Sequence, residues 1–422
     1  MRAIKRREFL SGAALAAGSV LFTSKIAFAG SATRPRFVFV ILRGALDGLT
    51  AVPPYADPNY ARLRGEVAIA APGAPGGALR LDGLFGLHPS LAFLSESFAA
   101  QELIVFHAMA SPYRERSHFD GQDVLENGCA RAHAVQTGWI NRALGALPPD
   151  RSARRGELGI ALGQNVPLVM RGPAPVASWS PSHLAALDED TLQRIADLYS
   201  TDPILSQRLA DALSTQSVAD ETQDETMMGG AQENSSPQLL ARREEPKPRG
   251  GAPYKEVIHA TASFLKSDDG PRVAVFDAMG WDTHANEGGA QGQLATRLAG
   301  LDAGLRTLKE DLGAVWRDTV VMIATEFGRT AAVNGTRGTD HGTAAAAFLL
   351  GGAVHGGRVI ADWPGLAQRA LYQGRDLAPT MHLHAALKGV LADHLAVPTR
   401  ALDSAVFPDS AAAKPLQGLL RA

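Results

Sequence analysis

This chain has almost no cysteine. Cys129 is the only one in 422 residues, which excludes an intramolecular disulfide and any thiolate metal cluster. It also lacks a strong charge of either sign. With 41 Lys and Arg against 43 Asp and Glu, the formal net charge is −2. That balance gives no global reason to expect nucleic acid or an acidic surface as partner. No internal repeat is visible. The apolar stretch near the N-terminus falls short of the about 20 residues that a membrane-spanning helix needs, so no permanent membrane span is expected. What remains is an ordinary globular balance, 45% apolar and 20% charged, in a length that suits two average domains or one large α/β domain carrying insertions.

The first thirty residues read differently from the rest. Arg6-Arg7 precede Glu8-Phe9-Leu10, SGAALAAGSVLF follows as a short apolar segment, and Ala27-Phe28-Ala29 supplies a small-x-small cleavage motif. This is the pattern of a twin-arginine signal over residues 1–29. It implies the twin-arginine export machinery as a partner and a periplasmic or secreted destination. Export in the folded state suits a protein that loads a cofactor in the cytoplasm.

Residues 30–422 are expected to form one domain. RFVFVIL (36–42) is a continuous, β-branched-rich apolar run, the mark of a strand buried on both faces. Similar runs occupy 102–110, 157–163, 271–279, 319–327 and 345–352. Between the runs at 271 and 319, Leu294, Leu298, Leu301, Leu305, Leu308 and Leu312 alternate four- and three-residue steps. That stripe makes an amphipathic helix across 292–318, and a strand–helix–strand crossover predicts parallel strands. The fold class is therefore α/β, with a mostly parallel central sheet sandwiched by helices. Residues 183–216 read as helical, and the polar, Pro/Gly/Ser-rich stretch at about 217–252 reads as a flexible insertion.

Ligands of parallel sheets collect at the carboxyl ends of the strands. Arg43 and Asp47 follow the first run. Asp282 and His284 follow the run at 271–279, and Glu326 and Arg329 close the run at 319–327. Asp340-His341 stand before the last run. Each has a plainer reading: Asp282 and His284 as a turn cap and a surface imidazole, Asp340 as a helix N-cap, Glu326 with Arg329 as a local ion pair. Together they would place carboxylates, imidazoles and guanidiniums at one edge, where buried charge needs a partner. Oxygen and imidazole donors without thiolate suit a divalent metal ion such as zinc, manganese or calcium. Glu326 and Asp340-His341 are expected to face one another and share that cation. In SPYRERSHFDGQDVLENG (111–128), Ser117 stands where a helix begins, ahead of His118, and could attack an electrophile or merely cap the helix. Arg114 and Arg116 could clamp a phosphate or sulfate, or be solvated.

Several of these stretches together resemble an exported family known as domain of unknown function 1501. They are the leader, RGALDGLTAVPPYADPNYARLR, YRERSHFDGQDVLENG, GWDTHANEGG, TEFGRT, GTDHG and DLAPT. That family in turn is similar to the alkaline phosphatase and sulfatase superfamily, α/β/α sandwiches that act on phosphate or sulfate esters at divalent metals. The resemblance implies Asp47, Asp282, His284, Glu326 and His341 as metal ligands, with Asp340 as a further candidate ligand that would compensate for the one missing at Phe327. It also implies Ser117, or a water, as the attacking group, with His118 beside it as a further catalytic candidate. Arg43 and Arg329 would hold the non-bridging oxygens of an anionic ester. Where the superfamily's later strand ends in Asp-His, this chain has Glu326-Phe327, one ligand fewer. A formylglycine sulfatase is excluded, because no Cys or Ser is followed by x-Pro-x-Arg. The implied function is an exported metal-dependent hydrolase of phosphate or sulfate esters. The alternative is a non-catalytic exported protein that binds an anionic polymer or a partner protein in the same cleft.

Overall fold

Phe37 to Leu42 are all buried, because β1 (Arg36–Arg43) has a strand on either side and apolar side chains packed over both faces. The computed structural model describes residues 34–147, 158–181 and 255–421. The leader expected at 1–29, the helical patterns at 183–216 and the polar insertion at 217–252 lie outside the described residues. The chain divides into Met1–Pro35 and Arg36–Ala422, and every element below belongs to the second unit.

Five more apolar runs become strands: β2 (Leu103–Ala110), β3 (Gly159–Leu162), β5 (Val273–Met279), β6 (Thr319–Thr325) and β7 (Ala345–Leu350). Three short strands complete the sheet: β4 (Val176–Trp179), β8 (Arg358–Ile360) and β9 (Met381–His382). These three carry partly exposed residues and no long apolar run, so periodicity does not reveal them. The strand order is β8-β2-β7-β6-β1-β5-β3-β4, with β9 pairing the far end of β2. β1 pairs in parallel with both β5 and β6, as the crossover predicts. Within this sheet, β7 alone runs antiparallel to its neighbours, β2 and β6.

The alternation of side chains along β1 divides the core in two. Val38, Val40 and Leu42 face one layer, with α1 (Ala92–Ala99), α4 (Lys255–Lys266) and α5 (Gln293–Leu312). Phe37, Phe39 and Ile41 face the other, with α3 (Trp139–Ala146) and α6 (Leu383–Leu395). All six leucines of the α5 stripe are buried. Burial of each such side chain contributes about 1.5–3 kcal/mol, so the stripe by itself is enough to seat the helix on the sheet. The result is the mostly parallel, helix-sandwiched α/β fold that the apolar pattern predicts. Among the described residues, no helix is long and apolar enough to cross a membrane.

The reversal of β7 decides where the polar loops meet. β1, β5 and β6 are parallel, so their carboxyl ends share one edge. Because β7 returns antiparallel beside β6, the residues just before it lie at that same edge. Arg329 and His341 form an antiparallel bridge there, and Gly328 N–H donates to the Thr343 carbonyl at 2.9 Å. Gly328 is required: a Cβ at that position would lie 1.8 Å from the Ala344 oxygen.

Candidate metal centre

Three loops converge on this edge. His118 is the first residue of α2 (His118–Asn127), Asp282 and His284 follow β5, and His341 precedes β7. His118 Nε2 and His341 Nε2 stand 2.9 Å apart, and so do His284 Nε2 and His341 Nε2. Asp282 Oδ1 lies 3.1 Å from His284 Nε2 and 3.5 Å from the Nε2 atoms of both His118 and His341. His118, Asp282 and His341 thus form a group able to hold a metal ion. The centre is open to solvent where Asp282 and His284 stand, with side chains 44% and 45% exposed.

Hydrogen bonds on the far side of each ring set which nitrogen faces inward. His118 Nδ1 donates to Glu326 Oε1 at 2.8 Å, and His341 Nδ1 donates to the Arg116 carbonyl at 2.9 Å. His284 Nδ1 lies 3.4 Å from Asp340 Oδ1. With Nδ1 protonated, each neutral imidazole presents an Nε2 lone pair to the centre. A cation satisfies converging lone pairs of this kind. Zinc bonds to imidazole and carboxylate of about 2.0–2.2 Å place tetrahedral donor atoms about 3.3 Å from one another. The observed separations, 2.9 to 3.5 Å, bracket that value. The donor set therefore fits a small divalent ion with nitrogen and oxygen ligands.

The electrostatics follow from these contacts. The hydrogen bond to Glu326 raises the His118 imidazole above its ordinary range. Burial lowers His341, and the charge that His118 would carry lowers it further. Burial pushes the Glu326 carboxyl up, but bonds from His118, Gln122 and the Gly44 amide outweigh it and hold Glu326 below the usual range. Burial likewise opposes ionisation of Asp282, and Arg329 overcomes it through a hydrogen bond and its charge.

The other sequence candidates are engaged around the centre rather than in it. Glu326 does not face His341, because the His118 ring stands between them. Asp340 accepts from Asn334 at 2.9 Å and backs His284. The buried Arg329 guanidinium spends its donors on the carbonyls of Gly44, Ala45, Trp281 and Thr339 and on Asp282, so it orients a ligand and faces no solvent. Arg43 pairs with Glu126 at 2.7 Å and Asp277 at 2.8 Å. Arg114 donates to the carbonyls of Ser111 and Tyr113, and Arg116 to Asp376. Of these four arginines, Arg329 is bonded to protein atoms through all three guanidinium nitrogens, and the other three are each engaged through at least one.

Asp47 sits in a separate buried network. It caps the turn Gly48–Ala51 through the amides of Leu49 and Thr50, and it pairs with Arg64, itself fully buried. The Arg64 charge holds Asp47 below the ordinary range against burial. Glu287, fully buried beside them, is pushed well above it by burial and by the Asp47 charge. Thr339 and Thr283 donate to Glu287 at 2.7 and 3.1 Å, which ties this network to the loops carrying His341 and Asp282.

Ser117 occupies the N-cap position of α2 with extended backbone, yet its side chain makes no capping bond. Phe327, where the resemblance implies a further ligand, is buried against the rings of His118 and His341, at centroid distances of 5.0 and 5.3 Å. Arg64, Gln122, Glu287 and Asp376 also support these networks, and no sequence signal marks them individually. Arg64, Gln122 and Glu287 lie inside the motif stretches quoted above, and Asp376 opens DLAPT, but nothing in their spacing marks them as partners.

Fold and site together define an α/β protein with a histidine–aspartate cluster suited to a metal ion. The chain belongs to the family described as "Protein of unknown function (DUF1501)", whose profile matches residues 99–403. No curated protein matches it. Among solved structures it is distantly similar to the zinc-complexed C-terminal periplasmic domain of EcEptC from Escherichia coli. That match has a TM-score of 0.34 and 9% identity over 75% of this chain and 73% of the other. A 2-O GAG sulfatase matches with a TM-score of 0.35 and 9% identity, covering 86% and 71%. Ps i-CgsB, in complex with k-i-k-neocarrahexaose, matches with a TM-score of 0.34 and 11% identity, covering 90% and 77%.

Proposed function

We propose that this chain is an exported, metal-dependent hydrolase of phosphate or sulfate esters. The observation that carries the proposal is the convergence of three imidazole Nε2 atoms and Asp282 beside an uncapped serine at a helix start. His118, Asp282, His284 and His341 would hold the ion, with Glu326, Asp340 and Arg329 orienting them. A divalent ion at this position would polarise the ester and offset charge that develops on the transferred group. Ser117 would attack phosphorus or sulfur through Oγ. As that bond forms, the bond to the bridging oxygen breaks and the alcohol leaves with a proton. Water then cleaves the serine ester, which releases phosphate or sulfate and restores the hydroxyl. First-turn N–H groups of α2, which no side chain caps, are the available donors for anionic oxygens. The Arg6-Arg7 leader supports export by the twin-arginine pathway to the periplasm or beyond.

The test is an assay of the mature protein on aryl phosphate and aryl sulfate esters, after chelation and reloading with zinc, manganese or calcium. Expected is turnover that depends on reloading. It disappears in Ser117→Ala with metal retained, and in His341→Ala together with the metal. A metal-loaded protein that turns over neither ester class overturns the hydrolase and leaves a binding protein for an anionic polymer or a partner.

A further inference from the structure

Arg116 has a backbone conformation that its residue type disfavours. Its φ is +66°, in the left-handed region. A non-glycine residue there costs on the order of 1–3 kcal/mol, so surrounding contacts must hold it. The backbone turn has a use: the Arg116 carbonyl accepts the His341 Nδ1 proton at 2.9 Å, and the chain runs directly on into Ser117 and His118.

What holds Arg116 is Asp376. The carboxylate is fully buried, and its Oδ2 takes Arg116 Nε at 2.8 Å and the neighbouring guanidinium nitrogen at 2.7 Å. That nitrogen also donates to Gln373 Oε1 at 2.7 Å. The next residue back grips His341 from its other side, with Arg375 donating to the His341 carbonyl at 2.9 Å. Backbone pairing of Asp376 with Thr330 and Tyr372 fixes the segment in turn. Residues 375–376 therefore hold one ligand through both its ring and its main chain, and hold the strained residue ahead of another.

We infer that Asp376 is a positioning residue for the metal centre, acting through Arg116 to keep Nδ1 of His341 protonated and its Nε2 turned inward. This rests on the metal-centre reading above, and it assigns to the DLAPT segment a role in the site beyond its place in the fold. Without the anchor, Arg116 relaxes to negative φ and its carbonyl turns away. His341 then loses its acceptor, and its proton is free to move to Nε2, where it blocks coordination.

The test uses a glycine, which adopts positive φ without help. Three variants are compared with the parent mature protein: Asp376→Asn, Arg116→Gly, and the two combined. Zinc affinity is measured by competition with a chromogenic chelator, after thermal melts show which variants are folded. Loss of a partner behind a metal ligand weakens binding about 10–100-fold. Expected is a loss of that size in Asp376→Asn, with recovery of most of it in the double variant. Arg116→Lys, on a side chain 19% exposed, gives the same comparison if Asp376→Asn does not fold. A folded Asp376→Asn or Arg116→Lys with affinity within twofold of the parent overturns the inference, as does a double variant no better than Asp376→Asn. The second readout needs no metal: ring-15N histidine NMR of the apo protein, with His341 assigned by its substitution. It should show the Nδ1–H tautomer in the parent and its depletion in Asp376→Asn; an unchanged tautomer overturns the inference. A parent protein that binds no zinc removes the metal-centre reading, and the tautomer still decides the role of Asp376.

Discussion

Glu326 Oε1 and His118 Nδ1 stand 2.8 Å apart, so the carboxylate at the end of β6 orients an imidazole on α2 instead of meeting an ion itself. Gln122 and the Gly44 amide donate to the same oxygen, at 3.1 and 2.9 Å, which leaves Glu326 no freedom to swing toward the centre.

Replacing Glu326 by Gln keeps the shape but trades an ionised acceptor for a neutral amide. Zinc affinity is expected to fall about 10–100-fold with the fold retained, because the partner behind a ligating histidine sets its basicity and orientation. Chelator competition on the purified variant checks this. An unchanged affinity would show that Glu326 has no influence on the ion.

Asp47 separates a ligand from a structural carboxylate. Asp47→Ala strands the fully buried Arg64 charge beside Glu287, and removing one partner of a buried pair costs about 3–5 kcal/mol. Urea denaturation should show that loss, while elemental analysis of the folded fraction finds the parent metal stoichiometry. Metal loss without destabilisation would make Asp47 a ligand after all.

Acid should destabilise the fold through three histidines, His107 and His384 buried and His394 half-buried. Burial lowers His107 to about 4, His384 to about 3 and His394 to about 4. Below the unfolded value of about 6.5, the unfolded chain takes up protons that the folded chain refuses. Their stabilising effect is complete above that pH and is lost as pH falls toward 4. Each histidine contributes a slope of about 1.4 kcal/mol per pH unit, so the three together contribute about 4. His394→Gln keeps a donor for the Arg36 carbonyl and should lower the slope by one histidine's share. Unfolding free energies measured from pH 7 to pH 4.5 test the sign and the size.

Chelation of the mature protein should lower its melting temperature, and added zinc should restore it. An ion that binds only the folded state stabilises by about 2.7 kcal/mol at one hundred times its dissociation constant. His341→Ala is expected to melt at one temperature with or without zinc. A zinc-dependent shift that survives in that variant would place the ion elsewhere.

The layers were legible because burial on both faces writes itself into a chain as unbroken apolar runs. RFVFVIL is β1 almost to the residue, and the six leucines of α5 are its buried face. β4, β8 and β9 were not legible. They are short and half-exposed, and their pairing is set by what lies beside them in space. The polar strand ends were legible as a group, but their roles were not. His118 was read as a companion of Ser117, yet its Nε2 lies in the centre. Glu326 and Arg329 were read as direct participants, yet both face protein atoms.

Local chemistry in this chain is a property of its sequence: which segments are apolar, where glycine permits a close turn, and that nitrogen and oxygen donors are present without thiolate. Which donors meet depends on β7 running against β6, since that reversal carries His341 back to the edge where β5 leaves Asp282. Which ring nitrogen faces inward depends on acceptors far away in the chain, Glu326 for His118 and the Arg116 carbonyl for His341. A hydrogen bond is decided by fractions of an ångström and by angle, and the order of residues along the chain carries neither.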